Sequence, residues 1–171
     1  MIRQLTVSEI NEHIQNDPVR PHITAEFRHT HGRQVWGLFE DQYAVAHTPR
    51  ETPLAIICVA YTNAAPTNEL ELDWFSSDQD AATINTAVFY TVWSYDPGAG
   101  RTIVNTLAKH IKESRSEIKH WVTLSPLTEM ATRFHTKNGA QLRSVHDTCQ
   151  VFDYTHVLAG ESPRAEQARS A

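Results

Sequence analysis

The first hydrophobic pattern along the chain is that of a short amphipathic helix. Thr6 and Glu9 form a capping box at its start, since a Thr side chain and a Glu three residues later can satisfy each other's backbone N–H groups. Asp17-Pro18 predicts its end, because the residue before a proline is pushed out of the α region. The apolar face of this predicted helix comprises Val7, Ile10 and Ile14.

Strands dominate the pattern in the middle of the chain. Leu54–Tyr61 is a continuous apolar run, typical of a central strand. Thr86–Tyr95 is rich in β-branched and aromatic residues and is the clearest strand signal. Leu70, Leu72 and Trp74 alternate with polar residues and predict a short strand. The other predicted strands are Val35–Phe39, Tyr43–His47, Lys119–Leu124 and a closing antiparallel pair, Gln141–Val145 and Cys149–Val157.

Two amphipathic helices are predicted in the second half. One runs from about Arg101 to Ser114 after the turn Asp96–Gly100, and the second is marked by apolar residues between Leu127 and Phe134. Asn138-Gly139 predicts a C-terminal cap for the second helix. The order of elements predicts a mixed α/β domain around a central sheet, over residues 1–158, and the remainder, 159–171, is predicted to be a disordered tail.

Composition narrows the class of protein. With 171 residues, 40% hydrophobic and 20% charged, the chain has the profile of one globular domain. A net charge of −5 disfavours nucleic-acid binding and a polybasic membrane anchor. The longest apolar run, Leu54–Tyr61, is too short to span a bilayer, and the first residues lack a signal-peptide core, which predicts the cytoplasm. Cys58 and Cys149 form no CxxC pair, so reduced thiols are expected.

The charge is unevenly distributed. The segment Gly98–Val145 carries eight Lys and Arg against three Glu, a net +5, so the rest of the chain carries −10. Solvent-exposed helix faces are enough to explain this excess of positive charge. If a phosphate-binding motif lies in the same segment, the charge instead indicates a basic surface for an anionic ligand. Gly98 and Gly100, followed by Arg101, stand between a predicted strand and a predicted helix, where backbone N–H groups and the helix dipole can hold a phosphate. An ordinary tight turn explains the same two glycines.

This strand, turn and helix resemble the acyl-CoA-binding half of the GNAT acyltransferase superfamily. The resemblance implies a mixed central sheet flanked by helices, with splayed strands that form an acyl-CoA cleft. It implies that the turn holds the pyrophosphate of CoA. Tyr95 stands where that family usually has Gln or Arg, and His135 where it usually has Tyr, which argues against ordinary N-acetyltransfer. The residues of the implied CoA-binding turn are Tyr95, Gly98, Ala99, Gly100 and Arg101.

Several stretches resemble, more narrowly, the GNAT-fold catalytic domain of malonyl-CoA decarboxylase and its relatives in polyketide loading modules. The family's helical N-terminal domain has no counterpart in these residues. The resemblance implies decarboxylation of a malonyl or methylmalonyl thioester, in fatty-acid or polyketide metabolism, with CoA as part of the substrate and no metal or further cofactor. The matching stretches are HTP and PL within His47–Leu54, VAYT (Val59–Thr62), AVFYT (Ala87–Thr91), TLSP (Thr123–Pro126), ATRFHTKNGA (Ala131–Ala140) and Asp153-Tyr154.

The same resemblance implies the site residues. His135 would donate the proton, and Thr91, where the family has Ser, would hydrogen-bond the substrate carboxylate or carbonyl. Trp36 would cover the acyl pocket, to which Ser125 and Asn138 also belong. From the residues alone, the structural alternatives are favoured for His135 as a helix-edge histidine, for Thr91 as a packing residue and for Asn138 as a helix cap. For Trp36, a core aromatic is as good an interpretation as a pocket residue. His29 and His31 are interpreted as loop histidines, since no third metal ligand is suitably spaced.

Two other functions stay open. One is an acyltransferase that moves an acyl group from CoA to an amine or a carrier protein, and the other is a non-catalytic acyl-CoA-binding module. An acyl carrier protein is a possible partner, but it is usually acidic and would meet a chain of net charge −5. A free CoA thioester is therefore the preferred substrate, and a homo-oligomer is a further possibility.

Overall fold

The computed structural model describes residues 1–41, 51–77 and 82–159. Eight strands in these ranges form one mixed sheet in the order β1-β2-β3-β4-β5-β8-β6, with β7 paired to β8. Neighbouring strands are antiparallel except β4 and β5, which are parallel. The strands are β1 (Ile2–Gln4), β2 (Gln34–Leu38), β3 (Ala55–Thr62), β4 (Thr86–Ser94), β5 (His120–Thr123), β6 (Ser125–Pro126), β7 (Gln141–Val145) and β8 (Cys149–Asp153).

Helices cover both faces of the sheet. The longest, α4, buries the apolar face that its sequence predicts, from Ile103 to Ile111. The capping box of Thr6 and Glu9 begins the first helix, as predicted. A 3₁₀ turn, Ile14–Asn16, follows that helix. The helices are α1 (Val7–Asn11), α2 (Ala25–His29), α3 (Glu69–Ser77), α4 (Ala99–Ser114), α5 (Glu129–Lys137) and α6 (Thr155–Leu158).

The core has two parts, one on each face. The α4 face joins Ile57, Phe89 and Phe152 to the helix, and the α1–α2 face joins Cys58 and Tyr90 to the N-terminal helices. Every residue of β3 is buried, which agrees with its prediction as a central strand. Within the described ranges, none of the helices is long and apolar enough to cross a membrane.

The prediction of a strand at Leu70–Trp74 is wrong, because these residues belong to α3. The Asn68 side chain accepts the N–H of Glu71 at 2.8 Å, and the Glu71 carboxylate accepts the N–H of Thr67 at 2.8 Å, so polar side chains nucleate a helix here. Leu72 faces the core, whereas Leu70 and Trp74 are exposed. The three residues therefore do not mark the two faces of a strand: Leu72, with Ser76 one turn later, marks the buried side of a helix.

Two further predictions differ from the structure, one at the end of the final strand and one at His29. The final strand ends at Asp153, whose carboxylate accepts the N–H of Thr155 at 2.8 Å and starts α6. His29 lies in α2 rather than in a loop. The predicted strand Tyr43–His47 and the predicted disordered tail, apart from Ala159, lie outside the described residues.

The sheet forks between β4 and β5. These strands pair only as far as Phe89 and Thr123, and the N–H of Leu124 makes the last contact, 3.2 Å from the carbonyl oxygen of Phe89. Beyond this point β4 continues with β3, while β6 pairs with β8. A register shift opposite Cys58 and Val59 leaves Tyr90 as an extra residue in β4, and such a bulge sharpens the local twist. The strands therefore diverge at Tyr90.

Candidate functional site

The turn between β4 and α4 stands beside the fork. Gly98 is the N-cap of α4 with a φ of 79°, a left-handed conformation that favours glycine. The first N–H groups of a helix have no helical carbonyl in front of them and can receive an anion. Arg101 is exposed in this first turn, and Ala99 and Gly100 are buried. The structure thus confirms the predicted strand, glycine turn and helix.

Helix α5 packs against this turn through Phe134. A Cβ atom on Gly100 would lie 3.4 Å from Cε2 of Phe134, so the turn and α5 are in close contact. Thr128 caps α5, as its side chain accepts the N–H of Ala131 at 3.2 Å. His135 follows Phe134 directly. The packing therefore places the helix that carries His135 beside the proposed phosphate turn.

His135 lies in a buried chain of hydrogen bonds. Its Nε2 atom is 3.1 Å from the Ser125 hydroxyl, and its Nδ1 atom is 2.7 Å from the Tyr154 hydroxyl. The Ser125 hydroxyl lies 2.7 Å from that of Thr123, which accepts the N–H of Phe152 at 3.1 Å. The imidazole also stacks on the Phe152 ring, with centroids 5.0 Å apart. The chain of polar groups begins at the fork, where β5 ends at Thr123.

Burial keeps this chain uncharged. The side chain of His135 is 6% exposed, and desolvation lowers its pKa to about 4, so the imidazole is neutral at pH 7. Desolvation raises the pKa of Tyr154 to about 12. A neutral imidazole accepts a hydrogen bond at one nitrogen and donates one at the other. His135 is therefore a neutral imidazole in the resting protein. It can pass a proton between the Ser125 and Tyr154 hydroxyls by taking one up at one nitrogen and releasing one at the other.

The low pKa of His135 predicts a loss of stability in acid. Unfolding restores an ordinary pKa of about 6.5, so between pH 6.5 and 4 the unfolded chain binds the proton more readily and stability falls as the pH falls. We expect His135 to lower the free energy of unfolding by about 2 kcal/mol between pH 7 and pH 5. Urea unfolding at both pH values should show a steeper pH dependence for the native chain than for His135→Gln. Equal slopes would contradict a buried, neutral His135.

The structure agrees with the helix-cap alternative for Asn138. It is the C-cap of α5, and its Nδ2 atom donates to the Tyr154 hydroxyl at 3.4 Å. It thereby supports His135 through Tyr154. Sequence reasoning assigned no role to Tyr154 or Thr123. The alternation of β8 carries the missing signal, since it places Tyr154 on the same face as Phe152.

Thr91 lies in a second buried network, on the α1–α2 face of the sheet. Its hydroxyl donates to the Asp17 carboxylate at 2.9 Å. The same oxygen accepts the N–H groups of Val19 and Arg20, and the other oxygen accepts a hydrogen bond from Arg28, each at 2.9 Å. The hydroxyl oxygen of Thr91 keeps its ability to accept a hydrogen bond. Thr91 is thus tied to the N-terminal segment beside the fork.

The contacts of Trp36 and Tyr95 are structural. Trp36 is 8% exposed, donates to Gln34 at 3.1 Å and packs against the His110 ring, which matches the core-aromatic alternative. The Tyr95 hydroxyl lies 2.9 Å from Nδ1 of His13 and accepts a hydrogen bond from Trp93 at 3.1 Å. Its side chain therefore anchors the N-terminal segment, and only its backbone belongs to the turn.

The histidine pair offers no metal centre in the part of the chain that the structure describes. His29 places its two ring nitrogens 2.8 Å from the carbonyl oxygens of Ala25 and Leu5. The described residues contain no group of three His, Cys, Asp or Glu side chains that could hold a metal ion.

Comparison with known proteins shows the fold. Malonyl-CoA decarboxylase from Agrobacterium vitis matches with a TM-score of 0.57 and 20% identity, over 84% of this chain and 38% of that one. NAA60 from Arabidopsis thaliana, in complex with acetyl-CoA, matches with a TM-score of 0.59 and 12% identity, over 90% and 97%. A putative GNAT acetyltransferase from Desulfovibrio desulfuricans gives 0.58 and 10%, over 90% and 96%.

The chain therefore has a GNAT-like mixed α/β fold, as its sequence predicts. It spans little more than a third of the Agrobacterium vitis decarboxylase. No protein-family model and no curated protein matches the sequence.

Proposed function

We propose that this protein decarboxylates malonyl or methylmalonyl thioesters of CoA. The observation that carries the proposal is the buried Ser125–His135–Tyr154 hydrogen-bond chain at the open fork of a GNAT-like sheet. The decarboxylase fold match and the FHTKNGA stretch around His135 point in the same direction.

The turn and the fork suit a CoA thioester. The N–H of Ala99 donates to the carbonyl oxygen of Asp96, so the next N–H groups of α4, together with the exposed Arg101, would hold the pyrophosphate. Beyond Phe89, the edge of β4 is no longer paired with β5, so an extended arm with amide groups could lie along it. Phe134 packs the helix α5 against the turn. A CoA thioester held at the turn would therefore have its reactive end near His135, the next residue of α5.

The reaction requires few groups from the protein. The bond between the α-carbon and the carboxylate breaks, CO₂ leaves, and the electron pair forms a thioester enolate. Hydrogen-bond donors in a water-poor pocket stabilise the developing enolate oxygen. A proton then passes to the α-carbon, and the Ser125–His135–Tyr154 chain would deliver it, with a replacement proton taken from solvent. Acetyl or propionyl thioester is the product.

Mass spectrometry of the thioester after mixing tests the proposal. Incubation with malonyl-CoA or methylmalonyl-CoA alone should yield acetyl-CoA or propionyl-CoA together with CO₂, at a rate well above that without protein. Thioesters that disappear only at the uncatalysed rate would rule out decarboxylation. Metal chelation should leave the rate unchanged, since the proposed chemistry uses no metal.

An acyltransferase is the second candidate, and a specific observation favours it. The chain covers nearly the whole of two acetyltransferase structures but only a little over a third of a decarboxylase. The same fork and turn would then hold an acyl-CoA donor. The two functions differ in one respect: transfer requires an amine or a carrier protein as acceptor and releases free CoA, whereas decarboxylation requires no acceptor and leaves the thioester intact.

A further inference from the structure

A buried arginine crosses the fork on the face opposite to His135. Arg20 is 2% exposed, and its Nη1 atom donates to the carbonyl oxygen of Tyr90, the bulged residue of β4. Its Nη2 atom lies 3.8 Å from the Cys149 thiol at the start of β8. Tyr90 and Cys149 both belong to the core of the α1–α2 face, whereas His135 stacks on Phe152 of the α4 face. The guanidinium therefore spans the gap between the diverging strands.

The Nη atoms of Arg20 can donate further hydrogen bonds to an anion. The Nε atom donates to Glu69 at 2.9 Å, but that carboxylate is 42% exposed and also contacts His22. Among the described residues, the Nη atoms face a carbonyl and a thiol, which is a weak acceptor, rather than a carboxylate. Asp17, the other nearby acid, is paired with Arg28. A guanidinium presents a planar fork of donors that matches the two oxygens of a carboxylate.

The backbone holds Arg20 in this position. The Asp17 carboxylate accepts the N–H of Arg20 and the hydroxyl of Thr91 on the same oxygen, so Asp17 connects the backbone of Arg20 to β4. Because these hydrogen bonds already fix the position of Arg20, its side chain would lose little conformational freedom on binding an anion.

We propose that Arg20 binds the free carboxylate of the acyl group and so selects thioesters of short dicarboxylic acids over simple acyl thioesters. This inference rests on the proposed function. A thioester carbonyl held on the His135 side would place the carboxylate, two carbons further, through the fork. Two hydrogen bonds to Arg20 would then fix the direction of the bond that breaks. After CO₂ leaves, the product lacks the charge that Arg20 recognises and dissociates more readily.

Calorimetric binding to His135→Gln protein tests this, because we expect that variant to leave malonyl-CoA intact long enough for the measurement. We expect malonyl-CoA to bind about 10- to 100-fold more tightly than acetyl-CoA, the range of a charge-assisted contact. Adding Arg20→Met should abolish the preference and leave acetyl-CoA binding unchanged. Arg33→Met is the matched control, since Arg33 is also buried but pairs with Asp73 and Ser76 on α3. It should retain the preference.

Equal binding of the two thioesters by the parent, or a preference that survives Arg20→Met, overturns the inference. If Arg20→Met does not fold, Arg20→Lys replaces it. Lysine keeps the charge but cannot meet two carboxylate oxygens in a plane, so it should lose most of the preference, and a full preference overturns the inference. A preference without CO₂ release supports carboxylate binding and refutes decarboxylation. CO₂ release without a preference for malonyl-CoA supports decarboxylation and refutes carboxylate binding by Arg20.

Discussion

Replacing His135 by glutamine is expected to lower the rate of malonyl-CoA decarboxylation by about 10²- to 10⁴-fold, the usual contribution of a positioned proton donor. Glutamine can still hydrogen-bond Ser125 and Tyr154, so the packing around the site is largely kept. It cannot accept a proton at one atom and release one at another. The loss should therefore fall on kcat, with little change in KM. Stopped assays of CO₂ and acetyl-CoA measure both.

His120→Gln is the matched control for this variant. His120 is exposed at the start of β5, outside the hydrogen-bond chain, and its replacement should leave the rate unchanged. If the rate for His135→Gln falls less than tenfold while its unfolding in urea at pH 7 matches that of the native chain, His135 is not the proton donor. Tyr154→Phe distinguishes the contributions of the two hydroxyls that contact His135. It removes the hydroxyl beside Nδ1 and leaves the Ser125 hydroxyl beside Nε2.

Periodicity predicted most of the fold because burial sets both the strand and the helix patterns. The apolar run at β3 and the β-branched run at β4 are central strands that pack on both faces. The error at α3 arose where hydrophobicity was weak and capping decided the outcome: only Leu72 and Ser76 are buried in that helix. The short β1 and α2 carry too few residues for a period to be visible.

The site was only partly accessible to sequence reasoning. Local motifs placed Gly98 at the turn and His135 on its helix, since each depends on neighbours in the chain. Contacts between distant segments could not be predicted in this way. Arg20 reaches Cys149 across 129 residues, and Asp17 reaches Thr91 across 74. Such contacts follow from the register of the strands and the path of the N-terminal segment.

The ion pair between Asp17 and Arg28 should be the most sensitive point for stability. Both side chains are 0% exposed, and the carboxylate lies 2.9 Å from Nη1 of Arg28. Asp17→Asn keeps the size of the side chain and the oxygen that accepts from Val19, Arg20 and Thr91, so the change isolates the charge. It leaves a buried guanidinium without its carboxylate, which typically costs about 3–5 kcal/mol. Urea unfolding at pH 7 measures the loss.

Asp73→Asn provides the comparison for that loss. Asp73 pairs with the buried Arg33 at 3.2 Å, but its carboxylate is 44% exposed and water can replace it, so we expect a loss of no more than about 1 kcal/mol. Arg28→Met should make Asp17→Asn less costly than it is alone, because the unpaired charge is then absent. Equal losses for Asp17→Asn and Asp73→Asn would show that the buried pair stabilises the fold no more than a surface one. The physical expectation is the opposite, because Arg28 is buried and, among the described residues, its other acceptors are two backbone carbonyls and the Cys58 thiol.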